Sequence, residues 1–160
     1  MTMNLYLVRH GKPVADYESG DPPLSPEGES EVALVASKLS EMDVNVDEIY
    51  HSGKLRAQQT AGIIQKSVAP GAEISFKAGL KPNDPVTGIA DDMNAAEQNT
   101  MLVGHLPFMD KIAAFLLDRS HDKSGLSFRT ATVVCFERRE NDKWTLLWTV
   151  SPDDVNDRNG

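Results

Sequence analysis

The stretch NLYLVRHGKP, residues 4–13, decides how the rest of the chain is read. Residues 4–8 form a nearly continuous apolar run apart from Tyr6, the pattern of a strand buried on both faces of a parallel sheet. The run leads straight into Arg9-His10-Gly11. In open α/β sheets, ligands bind at the carboxyl ends of strands beside helix N-termini, and glycine lets backbone come close to a ligand. A second stretch, TMLVGH at residues 100–105, repeats the pattern, with a buried strand ending in Gly104 and His105.

Working outward, residues 12–24 read as a polar, acidic loop with turn residues at Gly20-Asp21-Pro22-Pro23. Ser25-Pro26-Glu27 is a helix start, with an N-cap, a proline at the first helical position and an early acid. Val32, Val35, Ala36, Leu39 and Met42 keep helical spacing behind it. A short strand is expected at 48–51. A helix opened by Ser52-Gly53 follows, with face Ala57, Ala61, Ile64 and Val68, ended by Pro70-Gly71. A short strand at 74–76 and a helix carrying Val86, Ile89, Ala90 and Met93 come next. Beyond the 100–104 strand, Pro107 begins a helix with the stripe Phe108, Ile112, Phe115 and Leu116. Two late strands, 131–137 and 144–150, turn at Asn141-Asp142, and Trp144, Leu146, Trp148 and Val150 alternate onto one face. The expected fold is α/β, with helices on both faces of a mostly parallel central sheet that carries an antiparallel strand.

The chain has 160 residues, 40% of them hydrophobic, enough for one domain over 1–160 with its own core. Its formal net charge of -8 argues against nucleic acid and anionic membrane as partners, because phosphate neutralisation needs clustered Lys and Arg. No leader-like or membrane-length apolar segment is present, so the expected location is the cytoplasm. Nothing in the pattern points to an exposed apolar stripe, and a monomer is expected. Cys135, the single cysteine, sits between Val134 and Phe136 as a small buried hydrophobe. The four histidines, His10, His51, His105 and His121, match no metal-ligand spacing, so no metal is expected. His51 and His121 read as ordinary polar residues.

Arg56 falls in the first turn of the helix after the 48–51 strand. Arg9, His10, Arg56 and His105 therefore meet at one rim, a pocket for a dianionic tetrahedral group clamped by guanidinium forks.

At LVRHG the sequence resembles the histidine phosphatase superfamily, whose signature is Arg-His-Gly after the first strand. PLSPEGESEV is similar to that family's loop-to-helix segment, HSGKLRAQQTA to its Arg-Ala-x-x-Thr-Ala segment, and LVGHLPFM to its second-histidine strand. The short length and the tail RTATVVCFE…WTLLWTVSP resemble the SixA-type phosphohistidine phosphatases. The resemblance implies a three-layer α/β/α sandwich of the phosphoglycerate mutase-like fold. It implies His10 as a nucleophile that becomes phosphohistidine. It also implies Arg9, Arg56 and a protonated His105 as phosphoryl-binding groups that stabilise charge in transfer. No cofactor is implied, and inorganic phosphate is the product.

Relatives acting on phosphate monoesters usually use a carboxylic acid to protonate the leaving oxygen, often a Glu after the third strand. Here that neighbourhood reads AGLKPNDPV, and Asp84 is the candidate acid, set against its reading as a plain turn residue. Lys12 stands where some relatives carry an acid, and Pro22 where SixA-type proteins often carry an arginine. A site without a strong general acid should favour P–N over P–O cleavage. The expected partner is therefore a phosphorylated protein bearing phosphohistidine, with a small phosphate ester as the alternative substrate. A catalytically idle phosphate-binding module is the alternative outside the enzymes.

Overall fold

The computed structural model describes residues 2–119 and 122–156. Six strands form one sheet in the order β3-β2-β4-β1-β5-β6. The strands are β1 (Met3–Arg9), β2 (Glu48–His51), β3 (Glu73–Phe76), β4 (Thr100–Gly104), β5 (Val133–Arg139) and β6 (Lys143–Val150). β1 pairs in parallel with β4, and β2 in parallel with β4 and β3. β5 is antiparallel to both its neighbours, β1 and β6. The helices are α1 (Pro26–Glu41), α2 (Leu55–Val68), α3 (Thr87–Ala95), α4 (Phe108–Leu116) and α5 (Pro152–Asn156).

Alternation along β1 explains its uninterrupted apolar run. Tyr6 and Val8 pack with Val32, Val35, Leu39, Ala61 and Ile64 of α1 and α2 on one face. Leu5 and Leu7 pack with Ile89, Met93, Phe108 and Ile112 of α3 and α4 on the other. The result is the expected three-layer α/β/α arrangement, and β1 is covered on both sides. Among the described residues no helix is long and apolar enough to cross a membrane.

The structure corrects the sequence reading in several places. Trp144, Leu146, Trp148 and Val150 do not share a face. Cys135 pairs with Trp148 while its neighbour Phe136 pairs with Leu146, so Leu147 is an extra residue and a bulge resets the alternation. Trp144 and Leu146 pack with the α3/α4 side, Trp148 and Val150 with the α1/α2 side. Phe115 is 50% exposed; it lies on the margin of the α4 arc that Phe108, Met109, Ile112 and Leu116 bury. Ala131 lies outside β5, in a left-handed turn at φ 64°. The α2 helix begins at Leu55, and Ser52 is not its cap. The closing α5 was not anticipated, although Ser151-Pro152-Asp153 repeats the helix-start chemistry of Ser25-Pro26-Glu27.

Candidate active site

The carboxyl ends of β1, β2 and β4 lie side by side, since Arg9 is in register with Gly104, and His51 with Val103. The residues that follow them therefore converge. The His10 N–H donates to the Gly104 carbonyl at 2.9 Å, tying the two strand ends together directly. The His10 and His105 rings stand 4.9 Å apart between centroids. The Arg56 Nε faces His10 Nε2 at 3.4 Å. Arg9 approaches from the β5 side, its Nη1 donating to the Phe128 carbonyl at 2.9 Å. All four expected residues meet.

Two glycines permit this packing. A Cβ on Gly11 would lie 2.6 Å from Val32 Cγ2, and one on Gly28 would lie 2.1 Å from the Lys12 carbonyl oxygen. The first turn of α1 can thus press against the backbone that follows His10. The Ser25 N–H and hydroxyl both donate to that same Lys12 carbonyl. The Lys12 side chain turns outward to Glu27 at 2.8 Å.

The hydrogen bonds fix how His10 presents itself. Its Nδ1 lies 2.6 Å from the Gly11 carbonyl. A carbonyl only accepts, so Nδ1 carries the proton and Nε2 the lone pair. That lone pair faces Arg56. Burial, with Arg56 and Arg9 adding to it against the opposing Gly11 carbonyl, lowers the His10 pKa to about 4. His10 is a neutral imidazole at neutral pH.

His105 is almost fully buried, and its Nε2 lies 2.6 Å from the Ser52 hydroxyl. Burial first, then repulsion from His10, Arg56, Lys54 and Arg9, lowers its pKa to about 3. In the site without an anion these neighbours hold His105 neutral, and the protonated His105 expected during transfer requires the compensating charge of a bound phosphoryl group. His105 Nδ1 and Arg9 Nε are both buried and find no hydrogen-bond partner among the described residues.

Two residues of the site, Ser52 and Thr60, lie in the HSGKLRAQQTA segment, but the sequence alone assigns them no role at the site. Ser52 orients His105 instead of capping α2. Thr60, fully buried, donates to the Arg56 carbonyl at 2.8 Å and accepts the Gly11 N–H at 2.9 Å, binding the α2 arginine turn to the β1 histidine turn. Its signal was a polar residue on the apolar face of α2. His51, read as an ordinary polar residue, is buried, and its Nδ1 accepts the Gly53 N–H at 3.0 Å, shaping the turn that carries Ser52. His121 lies outside the described residues. Cys135 is buried, with its thiol pKa pushed up to about 12 by burial, as expected of an inert core residue. The Asp84 carboxylate accepts the Lys81 N–H at 2.9 Å, a turn contact. It also lines a depression of about 270 Å³ that reaches Ser52. Among the described residues no cluster of three or more His, Cys, Asp or Glu side chains is placed to hold a metal ion.

The depressed histidine pKa values have a consequence for stability. Unfolded histidines titrate near 6.5, whereas His10 and His105 resist protonation down to about 4 and 3. Between those limits the unfolded chain binds more protons, so their contribution is full above pH 6.5 and is lost as pH falls toward 4. The melting temperature is expected to drop from pH 7 to 5, less steeply in His105→Ala and less steeply with tungstate bound. Parallel slopes in all three samples would contradict the assignment.

Comparison with known proteins places the chain in a family and a fold. The sequence profile of the histidine phosphatase superfamily (branch 1) matches residues 5–84. An uncharacterized protein of Picosynechococcus is 35% identical over 112 residues, covering 66% of this chain and 67% of the relative. The fold is similar to that of the protein histidine phosphatase SixA complexed with tungstate, with a TM-score of 0.85 and 23% identity over 96% of this chain and 99% of that one. It is also similar to a mycobacterial glucosyl-3-phosphoglycerate phosphatase, with a TM-score of 0.73 and 16% identity over 94% of this chain and 100% of that one. With its profile match running from β1 through the Asp84 turn, the chain belongs to the histidine phosphatase superfamily, branch 1.

Proposed function

We propose that this chain is a phosphatase working through a covalent phosphohistidine on His10, and that its substrate is phosphohistidine on a protein. The observation that carries the reading is a pair of buried polar atoms with no hydrogen-bond partner among the described residues, Arg9 Nε and His105 Nδ1, close to a neutral His10. Buried polar groups are otherwise satisfied. A phosphoryl group supplies acceptor oxygens for the Arg9 and Arg56 guanidiniums, and for His105 when its ring carries the proton on Nδ1.

In the first step the His10 Nε2 lone pair attacks phosphorus. The bond from phosphorus to the substrate imidazole breaks, and that ring leaves with the electron pair as a neutral imidazole, its other nitrogen still protonated. In the second step water attacks phosphorus, and the electron pair of the breaking P–N bond returns to Nε2. Phosphate leaves with the protons of the water. Arg9, Arg56 and His105 spread the charge of the equatorial oxygens. The transfer itself requires no metal or organic cofactor. The low His10 pKa suits both steps, since it keeps the nucleophile unprotonated and makes it a good leaving group.

The substrate class follows from the leaving group. An alkoxide has a conjugate acid with a pKa near that of water, about 15.7, whereas an imidazole's is about 6.5. Asp84, the sequence candidate for a general acid, is engaged with the Lys81 N–H. A small phosphate ester is the second reading, favoured by the one observation that the depression holding Asp84 reaches Ser52, the partner of His105. The deciding experiment compares rates on a phosphohistidine protein and on an alkyl phosphate such as glycerol phosphate, whose alkoxide leaving group needs a general acid, with His10→Ala as blank. A preference for phosphohistidine is expected. Faster turnover of the ester would overturn the substrate assignment, and phosphate binding without turnover of either would mark an idle binding module.

A further inference from the structure

The acidic loop at residues 12–24 is not loosely hung over the site. Val14 N–H donates to the Pro23 carbonyl and Leu24 N–H to Gln59 Oε1, which staples the base of the loop to itself and to α2. Gly20, at φ 85°, and Pro22 bracket Asp21. The Asp21 carboxylate accepts the Leu55 N–H at the start of α2, with oxygens at 3.2 and 3.3 Å. It supplies the cap that Lys54 does not. The same carboxylate stands 3.9 Å from Arg56 Nη1. A single planar guanidinium therefore has the candidate nucleophile against its Nε at 3.4 Å and a loop carboxylate against its Nη1. Asp21 lies within roughly one Debye length of His10, about 10 Å at 0.1 M salt.

We propose that Asp21 is a specificity-determining residue that selects against phosphates whose carrier bears a second anionic group next to the phosphoryl. This rests on the reading that His10 and Arg56 hold the phosphoryl group. A carboxylate on the carrier would meet Asp21 at the mouth with like charge, and Arg56 is already partly neutralised. A neutral or cationic carrier, such as the imidazole or imidazolium of a protein phosphohistidine, meets no such repulsion. Because the Asp21 side chain is half exposed, the effect is one of screening at the entrance and is weakened by salt.

The test uses binding, so it does not depend on turnover. Dissociation constants of inorganic phosphate and of 3-phosphoglycerate, whose carboxylate stands two carbons from its phosphate-bearing carbon, are measured by calorimetry at low ionic strength. Asp21→Asn is compared with the unsubstituted protein. Asparagine keeps an oxygen for the Leu55 N–H and removes only the charge. The substitution is expected to improve 3-phosphoglycerate binding relative to inorganic phosphate by about fivefold, and high salt should erase the gain. An unchanged ratio, or an equal weakening of both ligands, would overturn the proposal and leave Asp21 as a helix cap. Failure of the unsubstituted protein to bind inorganic phosphate at all would overturn the reading of the site itself.

Discussion

His10→Ala is expected to lower turnover by about four orders of magnitude or more, because no other group at the site offers a lone pair to phosphorus. The His10 Nδ1 proton is committed to the Gly11 carbonyl and Nε2 faces Arg56, so the nucleophilic atom is defined by its surroundings. His105, the other imidazole nearby, has its Nε2 engaged by Ser52. The loss should fall on kcat. Inorganic phosphate should still bind, since Arg9, Arg56 and His105 are untouched. Steady-state rates together with a phosphate titration separate these effects. Retention of even a hundredth of the activity would mean that water attacks the substrate directly.

Arg56→Ala is expected to cost a hundredfold or more in kcat, comparable to removing a preorganised donor from a developing oxyanion. Its guanidinium is the cation held against the His10 lone pair at 3.4 Å. Its partly buried guanidinium, fixed between His10 and Asp21, is a preorganised donor that needs little reorganisation during transfer. Arg56→Lys should recover only part of the loss, because an ammonium lacks the planar fork that grips two oxygens. Full activity in Arg56→Lys would show that charge alone is needed. The backbone around Arg56 should persist in both variants, because Thr60 holds its carbonyl independently of the side chain.

The reasons these residues could be read from sequence, and others could not, are physical. Strand ends followed by His and Gly are local signals, and the parallel register then carries His10 and His105 together without further information. Arg56 lies in the first turn of a helix that begins just after a neighbouring strand, so its placement also follows from local pattern. The role of Ser52 was not legible, because whether the hydroxyl of a serine before a helix turns to the helix or to a histidine after another strand is set by tertiary contact. Asp21 has the same character. Its loop gives no periodicity, and its two partners lie 34 and 35 positions away in the chain. The β6 bulge is invisible to a period of two, because one inserted residue leaves the composition of the strand intact while it exchanges the faces. Asp84 makes the turn contact that its place between Asn83 and Pro85 suggests, its carboxylate accepting the Lys81 N–H.

The most direct test of the central claim is to trap the intermediate. The protein is mixed with a phosphoryl donor, quenched in alkali within milliseconds, and the peptide containing residues 4–13 is weighed. The account predicts one added phosphoryl group on His10, stable in alkali and lost in acid, and absent from His10→Ala. Turnover of the same donor with no phosphoryl group on that peptide at any time would contradict it.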